Sequence, residues 1–505
     1  MIRSNNLSSI SSGLQKDWRS RLSKYLDQAA LFSLFFFALA APHSIAGSQG
    51  GFLAFALFWV LGCVAAKRWP LKRTPLDIPL MGLFCWAVLS TVFSYEPMIS
   101  LKGLKGLAFL NAFLLVATRA SEGRYAKKLV LTFMLSSLVN VGYTIVQKVG
   151  GEGLRIDEIA PKSRLIRMGF DVGDVIVKVD GQPVKSLNQL STLVDSSPKE
   201  KVFKIDLRRG EMPLTVSMNC KRIKKVKTST GVDRFGIKVS TARDSRARGF
   251  YNHYATYAEV LQWLASLYFG FLIAAPKRWK TLLAFGLGAS AVTTALIFTA
   301  TRAPLLGLGV SVVLMTIIAA RGKRRLAIIT LILIALPVGA FAISKWRGVG
   351  LIDSKDGSTT WRLQVWKEGI DLSLKDPIFG IGKGSERVHW REWGLYNHGE
   401  LPPGHFHSTP LQIAVWWGIP AVIFYFWTML KAIYELGKAI VKENEFKDWQ
   451  RRGLLIGAFG GVAGFNFSAL VHFNFGDGEV VMVLWLVLGL AFAEILIKEN
   501  QAEEK

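Results

Sequence analysis

Residues 403–420, PGHFHSTPLQIAVWWGIP, place two histidines directly ahead of an apolar run. Histidine takes and returns a proton near neutral pH, so His405 and His407 are candidates for general acid–base chemistry. Arginines stand near the ends of other apolar runs, notably Arg302 in TATRAPLLGLGV and Arg362 in STTWRLQVW. A guanidinium presents a planar fork of donors that suits phosphate oxygens. Residues of these types can bind a phosphate group and exchange a proton.

The chain as a whole has the composition of a membrane protein. Its 505 residues are 51% hydrophobic and its mean hydropathy is +0.31, which is unusually apolar for a soluble protein. The apolar residues come in runs of about 17–25, the length that crosses a bilayer. We therefore predict an α-helical polytopic membrane protein with about twelve transmembrane helices, at 28–46, 50–66, 76–94, 103–118, 128–148, 256–275, 281–299, 303–320, 325–343, 409–431, 453–472 and 479–497.

The basic residues indicate how these helices are oriented. The net charge is +26, and lysine and arginine cluster in alternate loops, at 67–73, 118–128, 276–280, 321–325 and 431–452. By the positive-inside rule these loops and both termini are cytoplasmic, which also argues against a nucleic-acid role for the charge. Segments 149–255 and 344–408 then face the other side. We predict a multi-pass protein of a bacterial inner membrane, with its first helix retained and these two segments in the periplasm.

Residues 151–222 differ in pattern from the apolar runs. GDVIVKVDG and KVFKIDLRRG alternate as strands do, and SLNQLSTLVDSS reads as a short amphipathic helix. The stretch GFDVGDVIVKVDGQPV closely resembles a bacterial PDZ domain. The resemblance implies a small α/β domain that captures the C-terminus of an envelope protein by strand addition. The peptide would then lie along Gly153, Leu154, Arg155 and Ile156; the alternative is a rigid spacer that binds no peptide.

Four stretches near the predicted outer face resemble the O-antigen ligase/polymerase superfamily of membrane glycosyltransferases. They occur in the order that the family shows and on a twelve-helix layout. The family pattern usually has an asparagine after the second histidine, where this chain has Ser408. The stretches are RDSRARGFYNHYATYAEVL at 243–261, TATRAPLLGLGV at 299–310, STTWRLQVWKEGIDLSLKDPIFGIGKGS at 358–385, and the histidine stretch at 403–420.

The resemblance implies roles for individual residues. His407, Arg302 and Arg246 match the catalytic positions, with histidine as base and the arginines on the diphosphate. The predicted substrate-binding residues are Arg362, His405, Arg248 and His253. The donor would be a glycan on undecaprenyl diphosphate, and the acceptor lipid A–core in a ligase or another glycan in a polymerase; transfer to a protein hydroxyl belongs to the same superfamily.

Other classes of function remain open from the residues. Twelve spans also fit a transporter, and the PDZ-like insert would suit a non-enzymatic membrane scaffold. His405 and His407 lack the helical spacing of a zinc signature, so we predict no metal site and no cofactor. The predicted divisions are membrane helices at 1–148, the PDZ-like insert with its connecting segment at 149–245, membrane helices at 246–343, a periplasmic catalytic loop at 344–408, and membrane helices at 409–505.

Overall fold

The computed structural model describes residues 3–319 apart from 162, 164, 199, 211, 220–234 and 244–245, then 357–442 and 448–503, with 322, 325, 326, 330 and 334. The chain divides into two compact units. One comprises residues 1–141 and 248–505, and the other comprises residues 142–247. Each unit is described by itself.

The first unit is helical. Within the described ranges, nine helical segments are long and apolar enough to cross a membrane, so the prediction of an α-helical polytopic membrane protein is confirmed. Its helices are α1 (Arg3–Ala40), α2 (Ile45–Ala65), α3 (Asp77–Val92), α4 (Pro97–Gly103), a 3₁₀ turn (Leu104–Leu110), α5 (Asn111–Glu122), α6 (Ala126–Gly150, which continues into the second unit), α8 (Tyr254–Ala274), α9 (Trp279–Phe298), α10 (Arg302–Ala319), α11 (Gly357–Lys375), α12 (Ser385–Val388), α13 (Leu395–His398), α14 (Thr409–Lys442), α15 (Trp449–Ala469) and α16 (Gly478–Glu503).

Eleven of the twelve predicted spans coincide with helices. Two of these helices, α3 and α15, are not among the nine long apolar segments. Helix α3 has only 16 residues. Helix α15 is less apolar because it contains several glycines and has arginines in its first turn. The predicted span at 325–343 falls almost entirely outside the described residues.

Glycines on α15 allow unusually close packing at the centre of the bundle. A Cβ added at Gly457 would lie 2.7 Å from the Leu267 Cα of α8, and one added at Gly464 would lie 2.6 Å from the Gly307 carbonyl oxygen of α10. Ser311 also donates to the Gly460 carbonyl at 2.6 Å. Small residues let membrane helices approach in this way. Helices α8 and α10 both lie antiparallel against α15.

This register gathers particular helix ends on one side of the bundle. The beginnings of α8 and α10 lie together with the end of α15. The opposite end carries basic side chains, where Arg452 donates to the Ala319 carbonyl at 3.1 Å and Lys127 bonds to Asp448 at 2.5 Å. The two ends therefore differ in character.

The second unit is built on an antiparallel sheet. Its strands are β1 (Leu154–Ile159), β2 (Val175–Val179), β3 (Gln182–Pro183), β4 (Val202–Arg209), β5 (Met212–Asn219) and β6 (Ile237–Thr241), in the order β5-β4-β2-β1-β6 with β3 on β2. Helix α7 (Leu187–Ser196) buries Leu190 and Val194 in the core of this unit. Asp174 is fully buried, and Arg209 bonds to both of its carboxylate oxygens at 2.8 and 2.9 Å. The predicted small α/β insert is confirmed.

Candidate active site

The start of α14 is fixed to the turn between α15 and α16. The Thr409 amide and hydroxyl both donate to the His472 carbonyl, at 3.0 and 3.1 Å. The hydroxyl also lies 3.0 Å from the Asn474 side-chain oxygen. Residues 403–408, directly before Thr409, are called the histidine loop. They are thereby held at the bundle end where α8 and α10 begin.

His405 and His407 lie against each other in this loop. Their ring centroids are 4.2 Å apart, and the His407 amide donates to Nδ1 of His405 at 3.2 Å. Phe406 between them is fully buried, and its amide donates to the buried Gln412 side chain at 2.8 Å. His407 has a φ of +49°, an uncommon conformation for a residue other than glycine. The buried phenylalanine thus anchors a sharp turn that presents the two imidazoles side by side.

Both imidazoles are held in the neutral form. Burial, together with the charges of the neighbouring His407 and His472, lowers the pKa of His405 to about 3. Burial also lowers the pKa of His407 to about 4, with the positive charge of Arg362 as the second cause. Nδ1 of His405 accepts an amide hydrogen, so its Nε2 carries the ring proton. Near pH 7 these rings can orient a hydroxyl through neutral hydrogen bonds.

Arg362 reaches His407 because α11 supports the loop that contains the histidines. The Glu368 carboxylate on α11 accepts the Tyr396 amide at 2.8 Å, and the Tyr396 ring stacks on Phe406 with centroids 5.8 Å apart. Gly369 lies directly against Phe406, with no room for a side chain. The structure therefore brings together three predicted site residues, Arg362, His405 and His407.

The segment PIFGIG at 377–382 determines the shape of α14. Gly418 has φ +79° and ψ 176°, which breaks the helix. Segment 377–382 fills the break: the Ile381 and Gly382 amides donate to the Val415 and Trp416 carbonyls at 2.9 and 3.0 Å, and the Ile419 amide donates to the Pro377 carbonyl at 2.8 Å. Backbone groups freed inside a membrane bundle need such partners. These hydrogen bonds join segment 377–382 to α14.

Arg302, Arg248 and His253 lie in the first unit with the histidine loop. Arg302 is the first residue of α10, at the bundle end where α15 stops. His253 caps α8, because its Nδ1 accepts the Ala255 amide at 3.2 Å, and it is also one of the charge neighbours of His405. Arg248 is exposed five residues earlier. Arg246 belongs to the unit of residues 142–247, so its place in the same site stays a prediction.

Glu259 is the residue of this region that sequence reasoning missed. Its side chain is 2% exposed, yet it lies in α8, an otherwise apolar span. It accepts hydrogen bonds from the Ser468 hydroxyl at 2.8 Å, the Asn474 amide at 3.3 Å and Nδ1 of His472 at 3.0 Å. A single carboxylate within an apolar run indicates a functional residue by itself. This pattern in the sequence could have identified Glu259.

The four predicted peptide-binding residues lie on β1 and directly before it, between β2 and β6. The structure pairs Leu154, Arg155 and Ile156 with Thr241, Ser240 and Val239 of β6. Gly153 and Glu152 complete the pairing: the Gly153 carbonyl accepts the Ala242 amide at 3.1 Å, and the Glu152 amide donates to the Ala242 carbonyl at 2.8 Å. A strand of the chain itself takes this edge of β1, so peptide binding there stays a prediction that requires β6 to leave.

Comparison with protein families bears on both units. Residues 283–426 match the family described as O-antigen ligase, and residues 155–209 match the PDZ domain. Both predicted resemblances are confirmed. The O-antigen ligase match supports a role as a membrane ligase or polymerase of the O-antigen type. It includes Arg302, Arg362, His405 and His407, and it begins after Arg246, Arg248 and His253.

One curated relative is similar to a short part of the chain. It is the putative serine protease HhoA of Synechocystis sp., which is 30% identical over 73 residues, 14% of this chain. The match spans about a fifth of that protein, 18% of its length. The similarity therefore concerns one stretch and does not extend to the protease as a whole.

Proposed function

We propose that this protein is a glycosyltransferase that moves a glycan from undecaprenyl diphosphate to lipid A–core or a similar acceptor. The observation that carries the proposal is the O-antigen ligase match over 283–426, since it contains Arg302, Arg362, His405 and His407. A polymerase that joins lipid-linked glycans is the second candidate, because it shares this chemistry. The protein works in the bacterial inner membrane, with the histidine loop and the PDZ domain in the periplasm.

The roles of the residues follow from charge. The donor carries a diphosphate at the membrane surface, and Arg302, Arg362 and Arg246 hold it through charge-assisted hydrogen bonds. The same guanidinium groups stabilise the negative charge that grows on the diphosphate as the sugar–oxygen bond breaks. Arg248 and His253 line the approach to this site, while His405 and His407 contact the acceptor hydroxyl. A histidine of this group removes the hydroxyl proton, and the family resemblance points to His407.

The inserted domain has a separate proposed task. It recruits an envelope protein whose C-terminus displaces β6 and pairs with β1. The transfer reaction itself does not involve this step.

Glycan profiling in cells that lack the gene tests the proposal. Complementation with wild type restores the mature glycan, whereas His407→Ala and Arg302→Ala do not, at equal membrane levels. His398→Ala and Arg391→Ala are matched controls, because both residues are exposed in the same outer segment. Long undecaprenyl-linked polymer accumulates in the inactive strains if the protein is a ligase, and single lipid-linked repeats if it is a polymerase. Full restoration by both site variants would reject the catalytic role and favour a scaffold or transporter.

A further inference from the structure

Glu259 and His472 form a carboxylate–imidazole pair that the proposed roles leave unexplained. Burying a carboxylate in a membrane-spanning helix is costly unless several donors compensate it. Glu259 has three side-chain donors, from Ser468, His472 and Asn474, all at the end of α15 or in the turn after it. Ser468 and Asn474 also bond to each other at 3.0 Å. The carboxylate is thus held in one place and aimed at one ring nitrogen.

This arrangement determines which nitrogen of His472 is available. A carboxylate only accepts hydrogen bonds, so Nδ1 of His472 carries the hydrogen that Glu259 receives. Nε2 is then the nitrogen with a lone pair, and it has no hydrogen-bond partner among the described residues. The His472 side chain is 16% exposed, against 2% for Glu259. The carboxylate stays inside the bundle while the imidazole reaches the surface.

His472 belongs to the same group of side chains as the predicted histidines. Its charge is among the causes that lower the pKa of His405 and that of His407. Its backbone carbonyl fixes Thr409, two residues after His407. The three imidazoles therefore belong to one electrostatic cluster at this end of the bundle.

We infer that His472, oriented by Glu259, takes the proton from the acceptor hydroxyl. The inference rests on the proposed glycosyl transfer and revises which histidine is the base. The acceptor oxygen bonds to the anomeric carbon, the bond from that carbon to the diphosphate oxygen breaks, and the diphosphate leaves with the electron pair. The hydroxyl proton goes to Nε2 and is later returned to the diphosphate or to water. His472 is the catalytic residue and Glu259 a positioning residue that holds the ring and balances its new charge.

The two loop histidines are poorly suited to the same task. A general base works best when its pKa lies near the working pH, and the pKa of His407 is held at about 4. The positive charge of Arg362 contributes to this lowering, whereas His472 is oriented through Nδ1 by the Glu259 carboxylate. We assign His405 and His407 to orienting the hydroxyl.

The test measures transfer by the purified full-length protein, with a lipid-diphosphate-linked glycan as donor, over a range of pH. In His472→Gln the glutamine amide can still donate to Glu259, but the side chain cannot accept the hydroxyl proton. We therefore expect kcat to fall at least about 100-fold while KM stays within about 3-fold. Imidazole added to His472→Ala should restore part of the rate. Glu259→Gln should lower kcat about 10- to 100-fold while KM stays within about 3-fold, because Nδ1 of His472 then loses the carboxylate that orients the ring. The titratable groups that interact with the ring are Glu259 on α8, through a hydrogen bond, and His405 and His407 on the loop, through charge.

Matched controls separate chemistry from folding. Glu494→Gln removes another strongly buried carboxylate, which pairs with Arg451 at the opposite end of the bundle. His389→Gln removes an outer histidine that bonds to Glu96 and Glu392. Neither should change the kcat–pH profile. A kcat within 3-fold of wild type in His472→Gln, while Arg302→Ala is inactive, would overturn the inference and leave the proposed function intact. A wild-type protein that transfers no glycan would overturn the proposed function itself.

Discussion

At the residue scale, the candidate site contains imidazoles with contrasting surroundings. His405 and His407 lie among positive or neutral neighbours, while His472 lies against a buried carboxylate. One residue type therefore has different surroundings within one cluster of interacting side chains. The sequence shows the histidines but not this contrast, because Glu259 is 213 residues away from His472 along the chain.

The lowered pKa of His407 predicts how stability depends on pH. The folded protein keeps this ring neutral, whereas the unfolded chain protonates it near pH 6.5. The unfolded state thus binds more protons between pH 6.5 and about 4, so stability falls as the pH is lowered through this window. Each such histidine lowers the free energy of unfolding by about 1.4 kcal/mol for each pH unit within this window.

Thermal unfolding in detergent at pH 7, 6 and 5 measures this effect. His407→Gln should reduce the loss of melting temperature towards pH 5, because glutamine does not titrate. His398→Gln, at an exposed position in the same segment, should leave the pH dependence of wild type. Identical pH dependence in wild type and His407→Gln would show that the ring is not held neutral.

At the element scale, the break in α14 and the sixth strand of the insert are the two features that position functional surfaces. The break joins the outer loop to the bundle, and β6 covers the edge of β1. Both depend on backbone groups that meet across long stretches of sequence.

Gly418→Ala tests the break. An added Cβ would lie 2.0 Å from the Ile378 carbonyl oxygen, and φ +79° is unfavourable for alanine. We expect destabilisation of about 3 kcal/mol or more, seen as a lower melting temperature, together with lost transfer activity. Gly286→Ala on α9 is the control, because nothing lies within 4 Å of its added Cβ. An unchanged melting temperature in Gly418→Ala would show that the break in α14 does not depend on glycine at this position.

Ile237→Asp tests the sixth strand. Ile237 is 1% exposed in the core of the inserted unit, so a charge there should detach β6. Hydrogen exchange over residues 152–157 should then become faster, because the Glu152 amide loses its bond to the Ala242 carbonyl. Lys238→Asp, at the neighbouring exposed position, should leave this exchange near wild type. Equal protection in both variants would mean that β6 does not cover the edge.

At the scale of the whole molecule, an independent sheet unit interrupts a helical membrane protein. Its ends meet, since Glu152 and Ala242 are hydrogen-bonded, so a short linker can replace residues 152–241. We expect this deletion to lower glycan levels in cells while the purified protein keeps its transfer rate within about 3-fold. An equal loss in both settings would count against recruitment through the insert.

Much of this architecture could be predicted because it depends on local patterns. Apolar runs indicated helices, and turn glycines such as Gly173 and Gly181 indicated the insert. The Glu259–His472 pair, the break at Gly418 and the pairing of β6 with β1 could not be predicted, because each joins residues far apart in the chain. The family motifs predicted the histidine loop and pointed to His407 as the base, but they gave no indication of the Glu259–His472 pair.

Glycan transfer by the purified protein in lipid nanodiscs is the most direct test of the central claim. Wild type, given an undecaprenyl-diphosphate-linked glycan and a lipid acceptor, should form glycosylated acceptor and release undecaprenyl diphosphate, while Arg302→Ala forms none. If the wild-type protein leaves the donor intact, or if Arg302→Ala transfers glycan at the wild-type rate, the proposed site and its chemistry are wrong.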